Sequence, residues 1–221
     1  MVTSADFLPM IPELFLLGSI CAILLLDLFI SQQRRGLIHL LAILALVGTG
    51  ILTFRQGGAA GLPDAAAFGG MFLRDTVGDV LKLAIYVVTG AAFVYAKPYL
   101  SERGLFKGEF YVLGLFAVLG MMLLVSAGSL LMVYLGLELL ALSSYALVAM
   151  DRDNRLASES AMKYFVLGAL ASGMLLYGMS MIYGATGGQL DLAAIHQAVA
   201  ALEGQDRTLL MFGLVFVLVG V

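Results

Sequence analysis

The chain has 221 residues, 62% of them hydrophobic and only 12% charged, with a mean hydropathy of +1.02 and a formal net charge of −3. A soluble domain is about 45–50% apolar and about 25% charged, so an ordinary water-soluble core is excluded and the chain reads as an integral membrane protein. No dense basic patch or RNA-type motif points to nucleic acid. The single cysteine, Cys21, excludes an intrachain disulfide and, lying in an apolar run, reads as a small core hydrophobe.

In chain order, the N-terminus MVTSADFLPM lacks the basic region of a cleavable signal peptide. The apolar run after it is longer than a signal core and predicts a retained first span. Runs near or above the ~18–20 residues that cross a bilayer occur at 8–30, 37–54, 77–96, 110–127, 130–149 and 161–183. They are continuous, without the alternation of barrel strands, so they predict helices. The fold class expected is therefore all-α, a polytopic transmembrane helix bundle. A seventh run starts near Leu209 and is still apolar at Val221. A hydrophobic helix does not stop inside a membrane with open carbonyls, so the expectation is a fragment of a longer chain.

Between the runs, the Gly- and Ala-rich stretch 55–76 predicts an irregular external loop. The segment QLDLAAIHQAVAAL predicts a short interfacial helix, and His196 within it, without ligand spacing, reads as incidental. Gly168, Gly173 and Gly178 recur at the small-residue spacing of close helix packing. Basic residues alternate between connections. Arg34, Arg35, Lys97, Arg103, Lys107, Arg152 and Arg155 fall in the odd ones, against Arg55, Arg74 and Arg207 in the even ones. The positive-inside rule then places the odd loops in the cytoplasm and the N-terminus outside, in a bacterium the periplasm.

No Cys/His cluster has zinc or iron–sulfur spacing, and there is no Walker-type loop or GxSxG elbow. Function must therefore rest on ionisable groups within the spans. Glu13 and Asp27, near opposite ends of the first run, are both expected to reach headgroup water. Lys82, in the first turns of the third, is expected to snorkel outward. Lys163, about a turn inside the sixth, reads on position alone as another snorkelling lysine. Glu138 differs. If its helix starts near Leu130, it lies ~12 Å from the outer end and ~18 Å from the inner one at 1.5 Å per residue. A charge there costs roughly 2.5–3.5 kcal/mol on insertion scales. Such a carboxyl is a proton-relay candidate; the alternative is a neutral glutamic acid hydrogen-bonded to a neighbouring helix.

Three segments carry a resemblance: PELFLLGSICAILLLDLF, GEFYVLGLFAVLGMMLLVSAGSLLMVYLGLELLALSSYAL and ESAMKYFVLGALASGMLLYGMSMIYGATG. They closely resemble the subunit N family of bacterial proton-translocating NADH:quinone oxidoreductase, antiporter-like membrane subunits of respiratory complex I. The pair YLGLEL and KYFVLGA is its most specific part. The resemblance implies a fold of about fourteen helices with inverted repeats, of which this sequence would supply about six and a half. Residues 1–109 would hold the three leading helices, and 110–221 would start the first antiporter-like repeat. It maps a proton-translocating glutamate onto Glu138 and a lysine onto Lys163. The family's central lysines on later helices have no counterpart in this sequence. It further implies that NADH, flavin, iron–sulfur clusters and quinone are bound by other subunits, with no cofactor in this chain, and that the partners are neighbouring membrane-arm subunits. The remaining alternatives are an Mrp-type cation/proton antiporter subunit and a non-conducting membrane scaffold.

Overall fold

In the computed structural model, which describes residues 4–30, 36–57 and 65–221, eight α-helices follow one another. Six are long and apolar enough to cross a membrane: α1 (Ile11–Phe29), α2 (Gly36–Gln56), α3 (Thr76–Glu102), α4 (Gly108–Val125), α5 (Leu130–Val148) and α6 (Arg155–Ala185). The chain is a multi-pass membrane protein. The shorter α7 (Leu192–Val199) and α8 (Gly204–Gly220) complete it. Arg34 and Arg35, and part of the expected external loop, lie outside the described residues.

Helix starts follow local capping chemistry. Asp75 accepts from the Gly78 amide at 2.7 Å, Ser129 from Met132 at 3.3 Å and Asp191 from Ala194 at 2.8 Å, each satisfying a donor that a first turn leaves open. Asn154 does the same for Leu156 and Ala157. That cap explains why α6 begins at Arg155, ahead of the apolar run at 161: hydropathy registers the membrane part, whereas the helix includes the polar turns before it.

The stretch expected to be irregular contains a hairpin instead. Strands β1 (Ala65–Ala67) and β2 (Phe72–Arg74) pair antiparallel, Ala65 opposite Arg74 and Ala67 opposite Phe72. Phe68, Gly69 and Gly70 turn the chain at φ values of 52°, 67° and 93°, and glycine supplies two of these left-handed positions without a Cβ penalty. Two of the glycines that suggested an irregular loop, Gly69 and Gly70, are thus the hairpin's turn chemistry. Its second strand is stitched to the 126–129 turn: the Leu73 amide donates to Ser126 at 2.8 Å and Gly128 donates to Met71 at 2.9 Å. Leu130 donates to Leu190, and Leu192 to Gly128, both at 2.9 Å. The hairpin, the 126–129 turn and the entry to α7 therefore form one backbone-bonded cap, here called the hairpin end.

Below the cap are two apolar cores. Leu16, Ile20, Ile38, Leu115, Val118 and Met122 belong to one that joins α1–α4, and Leu130, Leu175, Met179, Ile182 and Leu210 to one that joins α5, α6 and α8. Close helix approaches are made at glycine. A Cβ on Gly120 of α4 would lie 2.8 Å from the Gly136 carbonyl of α5, and one on Gly178 of α6 would lie 2.6 Å from the Gly213 carbonyl of α8. Without a hydrophobic drive between helices in lipid, such backbone proximity supplies the packing. Of the three glycines singled out in α6, Gly178 packs on α8 and Gly168 on the Tyr145 side chain of α5, whereas Gly173 has nothing near its Cβ position. Cys21 is exposed on α1 rather than in the core, since a lipid-facing position of a span is as apolar as an interior one.

Candidate functional site

Ser129 fixes the start of α5, and Glu138 follows well inside the helix, half-buried and facing α6. Its Oε2 accepts a hydrogen bond from Ser172 Oγ of α6 at 2.8 Å. The adjacent hydroxyls do not serve it: Ser143 and Ser144 donate to the carbonyls of Leu139 and Leu140, at 2.7 and 2.8 Å. Two turns further along α5, the Tyr145 hydroxyl lies against Gly168. The ring of Tyr145 meets those of Tyr164 and Phe165 edge-on, with centroids 4.7 and 5.7 Å apart. Beyond it, Tyr145, Ala149, Arg152, Ser158 and Phe165 line a groove of about 560 Å³ between α5 and α6.

Lys163 is not brought to Glu138. It stands about two turns inside α6, 72% exposed, with its Nζ 2.7 Å from Glu159 Oε1 one turn back. Ser172 marks the level of Glu138 on α6 and follows Lys163 by nine residues, roughly 13 Å of rise. Tyr145 occupies the interval. Glu138 takes part in none of the four ion pairs found among the described residues.

A second ionisable cluster, which the sequence reading missed, lies at the hairpin end. Lys82 Nζ of α3 is 2.6 Å from Glu13 Oε1 of α1, and both side chains are 2% exposed. Neither reaches headgroup water as expected. The reason is the unforeseen hairpin. The fully buried Phe72 ring lies 5.2 Å from Lys82 Nζ, within cation–π range. Arg74 of the same strand approaches Asp79 at 3.9 Å. Nearby, the Tyr86 and Thr53 hydroxyls meet at 3.2 Å. With this cap in place, pairing replaces snorkelling. At the opposite end, the half-buried Asp27 packs its carboxylate on Gly108 at the start of α4, where a negative charge suits the helix dipole. His196 is exposed on α7.

Two signals could have led to these partners. Glu13 and Lys82 are opposite charges near the start of parallel helices that enter from one side. Ser172 is a polar residue inside an otherwise small and apolar stretch, ALASGM.

The profile of a family described as "NADH:quinone oxidoreductase/Mrp antiporter, TM" matches residues 127–221. Over 97% of its length the chain is 50% identical to NADH-quinone oxidoreductase subunit N of Thioalkalivibrio sulfidiphilus, and over 100% it is 56% identical to that of Xanthomonas euvesicatoria pv. vesicatoria. In both cases it spans 44% of the relative's length. Among solved structures, a chain of respiratory complex I from Thermus thermophilus with bound aureothin superposes with a TM-score of 0.72 at 30% identity, covering 95% of this chain and 43% of that one. The fold alone is shared with a chain of the membrane-bound sulfane sulfur reductase, an archaeal respiratory membrane complex, at a TM-score of 0.70, 21% identity and coverage of 96% and 43%. Likeness to subunit N of NADH:quinone oxidoreductase thus runs along the whole of this chain and over less than half of each of these relatives.

Proposed function

We propose that this chain is the leading part of a proton-translocating membrane subunit of an NADH:quinone oxidoreductase. Electron transfer from NADH to quinone takes place in other subunits, which hold the flavin and iron–sulfur clusters. The charge changes it causes are passed to ionisable groups in the membrane arm. Glu138 and Lys163 carry the proton in this chain. Residues 1–109 supply three leading helices, and 110–221 begin the first antiporter-like repeat. The partners are neighbouring antiporter-like and small membrane subunits. The setting is the bacterial inner membrane, with the hairpin end and the N-terminus periplasmic. That orientation follows from the basic excess in the odd connections. With Cys21 replaced, an impermeant thiol reagent added outside is expected to label Gln189→Cys and spare Ser101→Cys; the reverse pattern would invert it.

The observation that carries the reading is Glu138: a carboxyl mid-span, half-buried, outside any ion pair found, and held by one hydroxyl on the next helix. An intramembrane carboxyl is a proton-route candidate by default. Glu138→Gln keeps the volume and an acceptor for Ser172 but cannot change charge. In vesicles with equal amounts of assembled complex, proton uptake and NADH oxidation are both expected to fall, with Glu138→Asp intermediate. Wild-type values in both assays for Glu138→Gln would leave a neutral, hydrogen-bonded side chain and end the proposal.

A further inference from the structure

We propose that Ser172 is a positioning residue that keeps Glu138 hydrogen-bonded in both of its protonation states. The inference rests on the reading of Glu138 as a proton carrier and extends it to a residue on the facing helix. A serine or threonine inside a helix usually turns its hydroxyl back to a carbonyl of the preceding turn. Ser19 donates to Phe15 at 2.8 Å, Thr49 to Ala45 at 2.7 Å, and Ser143 and Ser144 to Leu139 and Leu140 in the same way. Ser172 breaks this habit. Its hydroxyl carries one proton, and that proton goes across to Glu138 Oε2 at 2.8 Å.

A hydroxyl is the side-chain group suited to this task. It donates to a carboxylate, and it accepts from a protonated carboxylic acid. An ammonium donor would hold the anion only. When Glu138 takes up a proton, the same two oxygens stay in contact with the hydrogen now on the carboxyl. The serine hydrogen is then free to turn to the carbonyl one turn back on α6. The contact survives the charge change, the carboxyl does not swing into lipid, and Oε1 keeps its direction for whatever exchanges the proton. The local sequence permits the approach. Ala171 and Gly173 flank Ser172 without bulk, and one turn earlier Gly168 lets the Tyr145 ring lie against α6.

The test uses the full-length subunit in the assembled complex, with pumping in vesicles measured across pH at equal complex content. Ser172→Ala is expected to lower pumping about tenfold, the scale of a lost hydrogen bond to a charged group, and to displace the pH profile. Ser172→Thr, which retains the hydroxyl, is expected to restore both to within about twofold. Ser172→Ala combined with Glu138→Gln is expected to be no worse than Glu138→Gln alone, because the serine acts through the carboxyl. Wild-type pumping and an unchanged profile in Ser172→Ala overturn the inference. So does a Thr variant as defective as Ala, or a double variant worse than either single one. Wild-type pumping in Glu138→Gln overturns the underlying reading and the inference with it, and so separates the two failures.

Discussion

Glu13 and Glu138 are both carboxyls inside a membrane span, and their surroundings differ in each physical respect. Glu13 lies in the first turn of α1, 2% exposed, 2.6 Å from an ammonium that is equally buried and roofed by the Phe72 ring. Glu138 lies mid-helix, half-buried, with a neutral hydroxyl as its hydrogen-bond partner and an open groove further along the same seam. The first arrangement is stiff. Opposite charges in contact in a low-dielectric interior attract strongly, and removing either one leaves the other buried and uncompensated. The second arrangement is permissive, because a hydroxyl tolerates either charge state of its partner. A group that must change charge repeatedly needs the second kind of environment. A group that must tie two helices and a hairpin together needs the first.

The largest effect expected from this contrast is on stability at the hairpin end. Lys82→Met leaves the Glu13 carboxylate buried without its cation, and breaking one side of such a pair costs about 3–5 kcal/mol. Glu13→Leu combined with Lys82→Met removes both charges and is expected to return stability to within about 1 kcal/mol of wild type. Thermal unfolding of the purified full-length subunit, read as a double-mutant cycle, checks this. Simple addition of the two single losses would mean that the charges do not interact, whatever their separation. A smaller effect is expected at the other carboxyl. Glu138→Gln retains an acceptor for the Ser172 hydroxyl, so its unfolding should stay within about 1 kcal/mol of wild type even as pumping falls. A loss as large as that of Lys82→Met would place Glu138 in the same structural class as Glu13 and erase the contrast.

The sequence made the helices legible because each span is a continuous apolar run, and apolar length is what a bilayer selects. Glu138 was legible for the converse reason, as a charge too deep to reach either surface. What hydropathy could not reveal was pairing. Glu13 and Lys82 lie 69 residues apart, and each alone looks able to reach water. Only the hairpin that shuts the end makes pairing necessary, and its strands of three residues are too short to leave a periodic signal. Ser172 was hidden differently. A lone serine among small residues reads as packing, and only the facing helix gives its hydroxyl a partner. The start of α6 was misplaced because its first turns are polar and its cap, Asn154, lies in a charged loop.

The smallest stability effect, and the sharpest functional question, belongs to Lys163. Its ion pair with Glu159 spans one helical turn at 72% and 52% exposure, and such pairs contribute about 0.3–0.5 kcal/mol. Neither Lys163→Arg nor Lys163→Gln should therefore alter unfolding measurably. If Lys163 only presents its charge to headgroups, pumping should survive both changes as well, since either side chain is accommodated at a wet surface. A proton-carrying lysine behaves otherwise. Arginine keeps the charge but does not release its proton, and glutamine has no proton to give. The expectation is that both variants assemble with wild-type stability and lose proton translocation together. The Tyr145 ring between the levels of Lys163 and Glu138 fits two groups acting in sequence rather than in contact. Full pumping in both variants would remove Lys163 from the proposed route and leave Glu138 as the proposed proton carrier.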